Sequence, residues 1–330
     1  MTATPSPASS SPGTAGSSAR PSAGPSFTEA EIASQPACWR RAAALLPEVA
    51  GVLPKPGERV AVVGCGTSWF IAQSYAALRE AGGGGHTDAF AASEYPFGRR
   101  YDRVLALTRS GTTTEVLDVL GRVREHTPTT AITADPATPV AGAAHETLPL
   151  AFADERSVVQ TRFATTALAL LRAHLEADGT APDGLTPLAT AAGHAEDALA
   201  EPLVAALTEA EQVTFLGTGW TYGLALEAAL KMREAAGAWT EAYPAMEYRH
   251  GPVAITAPGR AVWTLGPVPP GLDADIRAAG GHHSHHPDRD PLADLVRAQR
   301  LAVHRARAHG HDPDTPRNLT RSVVLDADRA

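Results

Sequence analysis

Short apolar runs stopped by glycine alternate with helix-period segments through most of the chain. Val60-Ala-Val-Val63 is a β-rich run that ends at Gly64, and Trp69 to Arg79 behind it has helical composition. Val104-Leu-Ala-Leu107 predicts the next strand and Thr114 to Val123 its helix. Thr130 to Thr133 and Glu146 to Ala151 predict two more strands, before a long helix from about Val159 to Ala177. Asp178-Gly-Thr-Ala-Pro-Asp-Gly184 is turn chemistry and breaks that helix. Helices resume at Leu188 to Leu199 and Glu201 to Glu209, strands at Val213 to Leu216 and Ala261 to Leu265, and a terminal helix spans Pro291 to His309. Ahead of all these, Phe27 to Glu48 predicts a helical lead-in whose apolar face carries Ala42, Ala43, Leu45 and Leu46. Strands alternating with helices at this spacing predict an α/β fold built on parallel, doubly wound sheet.

The pattern occurs twice. Val63-Gly-Cys-Gly66 answers Leu216-Gly-Thr-Gly219, and Thr87-Asp-Ala-Phe-Ala-Ala-Ser-Glu-Tyr95 answers Thr240-Glu-Ala-Tyr-Pro-Ala-Met-Glu-Tyr248. Both matches share one offset, since 217 minus 64 and 240 minus 87 each give 153. A whole unit is therefore duplicated, and two tandem subdomains are expected at 59–178 and 213–310, joined by helices over 179–212. A lead-in at 27–58 and a C-terminal tail at 311–330 complete the division. Residues 1–26 are almost all Ser, Pro, Ala, Gly and Thr, too poor in large apolar side chains to fold, and are expected as a disordered tail.

Composition narrows the function classes. The formal charge of −8 argues against a nucleic-acid surface, which needs clustered Lys and Arg. No apolar run approaches the roughly 18 residues that a spanning helix needs, so no membrane partner is expected. The two cysteines, Cys38 and Cys65, form neither a disulfide framework nor a zinc spacing, and a cytoplasmic location is the default. Gly281-His-His-Ser-His-His-Pro287 lacks a cysteine or spaced acidic partner for a metal, and its flanking glycine and proline predict a polar surface loop. Neither metal nor cofactor is expected.

Chemistry concentrates in two loops. Gly64-Cys-Gly66 lacks the third glycine of a dinucleotide turn, Trp69 standing in its place, so Gly-x-Gly alone indicates only a tight strand-to-helix turn. Hydroxyl density says more. Thr67 and Ser68 follow this turn, and Thr108, Ser110, Thr112, Thr113 and Thr114 follow the neighbouring strand. Adjacent strand ends of a parallel sheet face one crevice, where hydroxyls and helix-start amides suit a phosphate monoester. Gly111 would let the backbone approach the anion and Arg109 would add charge, although Ser and Thr also favour helix starts as simple caps.

Eight ordered motifs carry a family resemblance: Cys65-Gly-Thr-Ser68, Ala92-Ser-Glu-Tyr95, Ser110-Gly-Thr-Thr113, Ser157-Val-Val-Gln-Thr161, Leu226-Glu-Ala-Ala-Leu-Lys231, Glu241-Ala-Tyr243, Glu247-Tyr-Arg-His-Gly-Pro252 and Pro316-Arg-Asn-Leu319. Together they resemble the sugar isomerase (SIS) family, most closely the isomerase half of glucosamine-6-phosphate synthase, from about Phe27 to Val324. The resemblance implies two SIS subdomains, each a parallel sheet sandwiched by helices, in a homodimer acting on a phosphorylated amino sugar. It places the phosphate on Ser68, Thr108, Arg109, Ser110 and Thr113, with Gly66 and Thr67 adjacent, and the sugar against Val158 and Gln160. Glu234 matches the carboxylate that moves the C1/C2 proton, Lys231 its helical neighbour, and His250 a ring-opening histidine supplied by the opposite subunit. Two departures stand out. No glutaminase-like segment precedes the SIS halves and no cysteine sits beside Met1, so glutamine is not expected as the ammonia source. Arg321 stands where the family's imine-forming lysine belongs.

Glu227, Lys231 and Glu234 fall at i, i+4 and i+7 on one helical face, which by itself is an ordinary solvated stripe. With the family match, Glu234 becomes the base that takes the C2 proton. Arginine stays protonated, so Arg321 cannot form an imine, though it can hold substrate oxygens or close the tail over the site. From the common enediolate, three outcomes are open: isomerisation, isomerisation with loss of a C2 amine, or β-elimination of water, for which the SIS etherases give a family precedent. The alternative from another class is a non-catalytic phosphosugar-binding sensor.

Overall fold

The computed structural model describes residues 24–325, so the expected tail at 1–26 lies almost wholly outside the described residues. Two helices open the chain, α1 (Phe27–Ala33) and α2 (Gln35–Val49). The first α/β unit follows as β1 (Val60–Gly64), α3 (Thr67–Ala81), β2 (Thr87–Ala91), β3 (Arg103–Thr108), α4 (Thr114–Val123), β4 (Thr129–Thr133), α5 (Val140–Ala143), β5 (Glu146–Pro149) and α6 (Arg162–Ala177). After α7 (Leu188–Ala200) and α8 (Ala205–Thr208), the second unit runs β6 (Gln212–Gly217), α9 (Thr221–Ala236), β7 (Thr240–Pro244), β8 (Arg260–Leu265), α10 (Leu272–Ala278), β9 (His282–His285) and α11 (Pro291–Ala308).

Every strand pair is parallel, in the orders β2-β1-β3-β4-β5 and β7-β6-β8-β9. In both sheets the order reverses at the first strand, the place where open α/β sheets leave a crevice. Strand alternation decides which helices go where. Val60 and Val62 of β1 join one large core that also holds Phe215, Trp263 and the buried faces of α2, α3, α6, α9 and α11. Ala61 and Val63 point to the other face, where Val116, Val119 and Leu120 of α4 cover them. The two sheets thus share a helical middle layer. Buried polar pairs tie that layer together: Trp39 Nε1 donates to Thr165 Oγ1 at 3.0 Å, and Arg172 meets Asp290 at 2.9 Å with both side chains buried.

Two expectations are corrected. The predicted helix at Glu201 to Glu209 shrinks to α8, because Glu201 precedes Pro202 and is held extended at ψ 132°. The histidine-rich stretch is no surface loop: His282–His285 forms β9 at the edge of the second sheet, paired to β8. His283 is buried because both ring nitrogens find partners, Thr264 Oγ1 at 2.9 Å and Asp273 Oδ1 at 2.8 Å. Burial pushes its pKa down, only partly offset by Asp273. Among the described residues no group of three or more His, Cys, Asp or Glu side chains is placed to hold a metal ion.

The two units touch through α3 and α9, whose close crossing rests on Gly223. A Cβ built there would lie 2.4 Å from the Phe70 carbonyl oxygen and 2.3 Å from Ser74 Oγ. Gly223→Ala must therefore push α9 away from α3, at a cost of about 1–3 kcal/mol. Thermal unfolding followed by circular dichroism should show a melting temperature lowered by several degrees, and an unchanged value would refute the tight crossing.

Candidate active site

The crevice forms where β1 and β3, neighbours in the sheet, release their chains into α3 and α4. Gly66 caps α3 with φ +53°, leaving Thr67 and Ser68 in its first turn, both buried. The second loop turns at Gly111, φ +64°, where a Cβ would collide with Thr138 Oγ1 at 1.9 Å. That turn gathers hydroxyls. Ser110 Oγ and Thr113 Oγ1 stand 3.5 Å apart, while Thr108 Oγ1 accepts the Gly111 N–H at 3.2 Å and serves the loop itself. A cavity of about 220 Å³ opens between the loops. Gly66, Thr67, Ser68, Thr108, Arg109, Ser110 and Thr113 line it, together with Val158, Gln160, Glu234 and tail residues 319–323.

Arg109 does not aim its charge into this space. Its guanidinium meets Glu155 at 3.4 Å and donates to the carbonyls of Ser157 at 3.2 Å and Val158 at 3.0 Å. The expected phosphate-binding charge is thus spent inside the wall, because a fully buried Glu155 needs a counter-charge. Burial pushes the Glu155 carboxyl up, against the pull of Arg109. Its other oxygen caps α6, accepting from Thr161 N at 2.6 Å and Arg162 N at 2.7 Å. The Val158 backbone is committed as well, its N–H donating to Asp314 O at 2.9 Å.

Opposite the hydroxyls lies the α9 stripe, and it is buried rather than solvated. Glu227 is 0% and Lys231 1% exposed. Lys231 Nζ reaches Glu234 Oε2 at 2.5 Å, Thr67 Oγ1 at 2.9 Å and Glu227 Oε1 at 3.4 Å. The ammonium therefore ties Glu234 on one unit to the Thr67 hydroxyl loop on the other. Burial would lower the Lys231 pKa, but the carboxylates of Glu227 and Glu234 outweigh it and the net shift is upward. Glu227 is pushed up to about 8, first by burial and then by Glu234, against Lys231.

The tail crosses the mouth of the cavity. Arg321 turns its guanidinium to Asp154 and to the Glu155 carbonyl, and so is held in the rim of the cavity. His250 sits exposed on a short turn over Glu247–His250 and is not among the residues lining the cavity. Within one chain the structure brings together Glu234, Lys231 and the two hydroxyl loops, and leaves His250 apart.

This fold and crevice meet known proteins. Residues 55–177 match the family model described as the SIS domain. The chain carries a SIS domain. It is 29% identical over 332 residues to the glutamine-fructose-6-phosphate aminotransferase (isomerizing) of Xanthomonas campestris, covering 86% of this chain and 54% of the relative. A second relative of that name, from Methanothermobacter thermautotrophicus, is 28% identical over 91% of this chain and 58% of its own length. The chain spans about half the length of these relatives, the part that includes the SIS fold. Among solved structures, glucosamine-6-phosphate deaminase from Thermotoga maritima superposes with TM-score 0.77 at 26% identity, over 91% of this chain and all of that one. The tagatose-6-phosphate ketose/aldose isomerase of Escherichia coli shares the fold with TM-score 0.74 at 20% identity, over 92% of this chain and 97% of its own.

Reading the SIS motifs alone leaves three residues at the site without a role. Glu227 falls inside the Leu226–Lys231 motif and on the stripe, but nothing local marks it as buried. Glu155 carries no motif, and its role follows from distant Arg109. Ser322, four residues past the last motif residue but one, enters the hydroxyl cradle through the path of the tail.

The raised Glu227 pKa has a measurable consequence. Between about 4.5 and about 8 the folded protein holds a proton there that the unfolded chain releases. Unfolding is then favoured as pH rises through that window, and the Glu227 contribution to stability falls. Glu227→Gln, a mimic of the protonated form, should flatten the decline in melting temperature between pH 5 and pH 8.5 relative to wild type, by scanning calorimetry. Parallel pH profiles would contradict the shift.

Proposed function

We propose that this chain is an isomerase-type enzyme acting on an amino-sugar 6-phosphate. One observation carries the reading: Glu234 and the hydroxyl loops line the same small cavity, linked by a buried ammonium. Phosphate binds at the starts of α3 and α4 through the hydroxyls of Ser68, Ser110 and Thr113 and the loop amides. The sugar then extends past Val158 and Gln160 toward Glu234. In the open-chain aldose, Glu234 takes the proton from C2, and the C2 electron pair moves toward C1 as the carbonyl oxygen gains charge. The Lys231 ammonium, 2.5 Å from Glu234, steadies the accumulating negative charge.

Return of that proton to C1 completes the aldose-ketose exchange. With a free amine at C2 the product is a ketimine, and water adds to it and expels ammonia, so the net reaction converts glucosamine 6-phosphate and water to fructose 6-phosphate and ammonia. The likeness to a solved glucosamine-6-phosphate deaminase supports this outcome over dehydration. A glutamine-fed synthase route is disfavoured, because Arg321 offers no neutral amine and is engaged by Asp154. Ring opening falls to His250 of a second copy in a homodimer, since His250 stands outside the cavity of its own chain.

The test is incubation with glucosamine 6-phosphate and with N-acetylglucosamine 6-phosphate in D2O, followed by NMR and an ammonia assay. Deuterium entering C1 or C2, with ammonia from the free amine, is the expected result. A vinylic signal with loss of water would replace isomerisation by elimination, and no exchange with either compound would reject the substrate class. Glu234→Gln should lower turnover about 10²–10⁴-fold. A protein that binds the sugar phosphates with equal affinity in both forms and turns over neither is a sensor instead.

A further inference from the structure

The hydroxyl cradle already has an occupant. Ser322 Oγ lies 3.1 Å from Ser110 Oγ, 3.0 Å from Thr112 Oγ1 and 3.3 Å from Thr113 Oγ1. Three hydroxyl contacts use the whole bonding capacity of a serine, one donor and two lone pairs. An oxygen of a bound phosphate reaching Ser110 and Thr113 would need that same point in space. We infer that Ser322 is a resident competitor for the anion cradle, a specificity-determining residue that a phosphate ligand must displace; this rests on the phosphate reading of the cradle.

The neighbouring residues hold the competitor in place. Thr114 N donates to Val323 O at 3.3 Å, and Leu325 N donates to Thr114 Oγ1 at 2.9 Å, so the tail docks on the start of α4. On the other side Arg321 is latched to Asp154 and to the Glu155 carbonyl, and Arg109 Nη2 donates to the Arg321 carbonyl at 3.3 Å. Asp154 and Arg321 are 39% and 38% exposed in their side chains, so the latch is a weak, water-screened pair that can open. The hydroxyl is neutral. A phosphate dianion brings charge-assisted bonds that a serine cannot match, whereas a neutral sugar brings none. The strap thereby selects for the phosphorylated ligand: any molecule too weakly bonded to evict Ser322 meets a filled cradle.

Self-occupancy lowers apparent affinity by the fraction of time the site is free, so a cradle filled nine-tenths of the time binds about tenfold more weakly. Calorimetric titration of the full chain with inorganic phosphate and with glucosamine 6-phosphate reads this directly. Ser322→Ala and Ser322→Gly should tighten both ligands about 3–10-fold, and Arg321→Ala or Asp154→Asn should move them the same way by less. In wild type, phosphate should speed tryptic cleavage after Arg321. Unchanged or weaker binding in both Ser322 variants, or protection of Arg321 by phosphate, would overturn the inference and make the tail a lid that grips its ligand. Ser110→Ala separates the two readings. Binding lost in Ser110→Ala but untouched by Ser322 variants sinks only the competitor, whereas binding indifferent to Ser110 sinks the phosphate cradle and the competitor with it.

Discussion

The arrangement depends on keeping a lysine charged where there is no water. Desolvating an ammonium costs several kcal/mol, and the ion survives only with excellent partners. Lys231 has them on both units: the Glu234 carboxylate and the Glu227 carboxyl group on either side along α9, and the Thr67 hydroxyl on α3. That requirement fixes the distance between the helices. Small residues meet it: Gly223, Ala225, Ala228 and Ala229 all lie in the buried part of α9, and a larger side chain at the first of them would strike the α3 backbone. Because α3 also begins at the first hydroxyl loop and Glu234 sits one turn beyond Lys231, the same crossing sets the separation between the loop hydroxyls and Glu234.

A second buried pair does comparable work for the cavity wall. Arg109 and Glu155 neutralise each other, and between them they bond the carbonyls of Ser157 and Val158 and the first amides of α6. Glu31 reinforces the segment from α1, accepting the Arg156 N–H at 2.6 Å. The loop that would meet the sugar is therefore held by charges paired within the cavity wall, beside the loop hydroxyls. A loop in which Arg109 faced the anion would leave Glu155 buried and unpaired, the costlier state. This is why the arginine of a hydroxyl-rich loop, a natural phosphate ligand on sequence alone, turns inward.

What the sequence made legible follows from the range of the forces involved. Strands such as Val104-Leu-Ala-Leu107 and the Thr114 to Val123 helix announce themselves by periodicity and by glycine or hydroxyl punctuation, which are local signals. The duplicated motif was equally readable and agrees with two sheets of like strand order. β9 was not, because histidine is a poor strand signal and the burial of His283 depends on Asp273 and Thr264 as hydrogen-bond partners for its two ring nitrogens. Glu227, Lys231 and Glu234 were found as a stripe, yet their burial depends on which helix faces them. Glu155 carried no signal and Ser322 only its place in the tail that continues Pro316-Arg-Asn-Leu319, since each makes its contacts with a residue more than forty positions away.

Duplication also explains why one cavity serves and not two. The β1–β3 register sets Ala106 beside Val63, and the β6–β8 register sets Thr264 beside Leu216, so the loop Thr108-Arg-Ser-Gly-Thr-Thr-Thr114 answers Gly266-Pro-Val-Pro-Pro-Gly-Leu272. Three prolines remove three N–H donors from the second loop, and none of its seven residues carries a hydroxyl. The helices diverged in the opposite sense. At the repeat spacing of 153, Glu227, Lys231 and Glu234 on α9 fall on Ser74, Leu78 and Ala81 of α3, which bring no charge. The first unit kept the hydroxyl-rich loops and the second the Glu227-Lys231-Glu234 stripe. Gly223 and Phe70 are themselves counterparts at this spacing, and they meet at the helix crossing, where the Gly223 Cα faces the Phe70 carbonyl. A glycine at this point lets α9 approach the Phe70 carbonyl closely enough for the two specialised halves to close on one cavity.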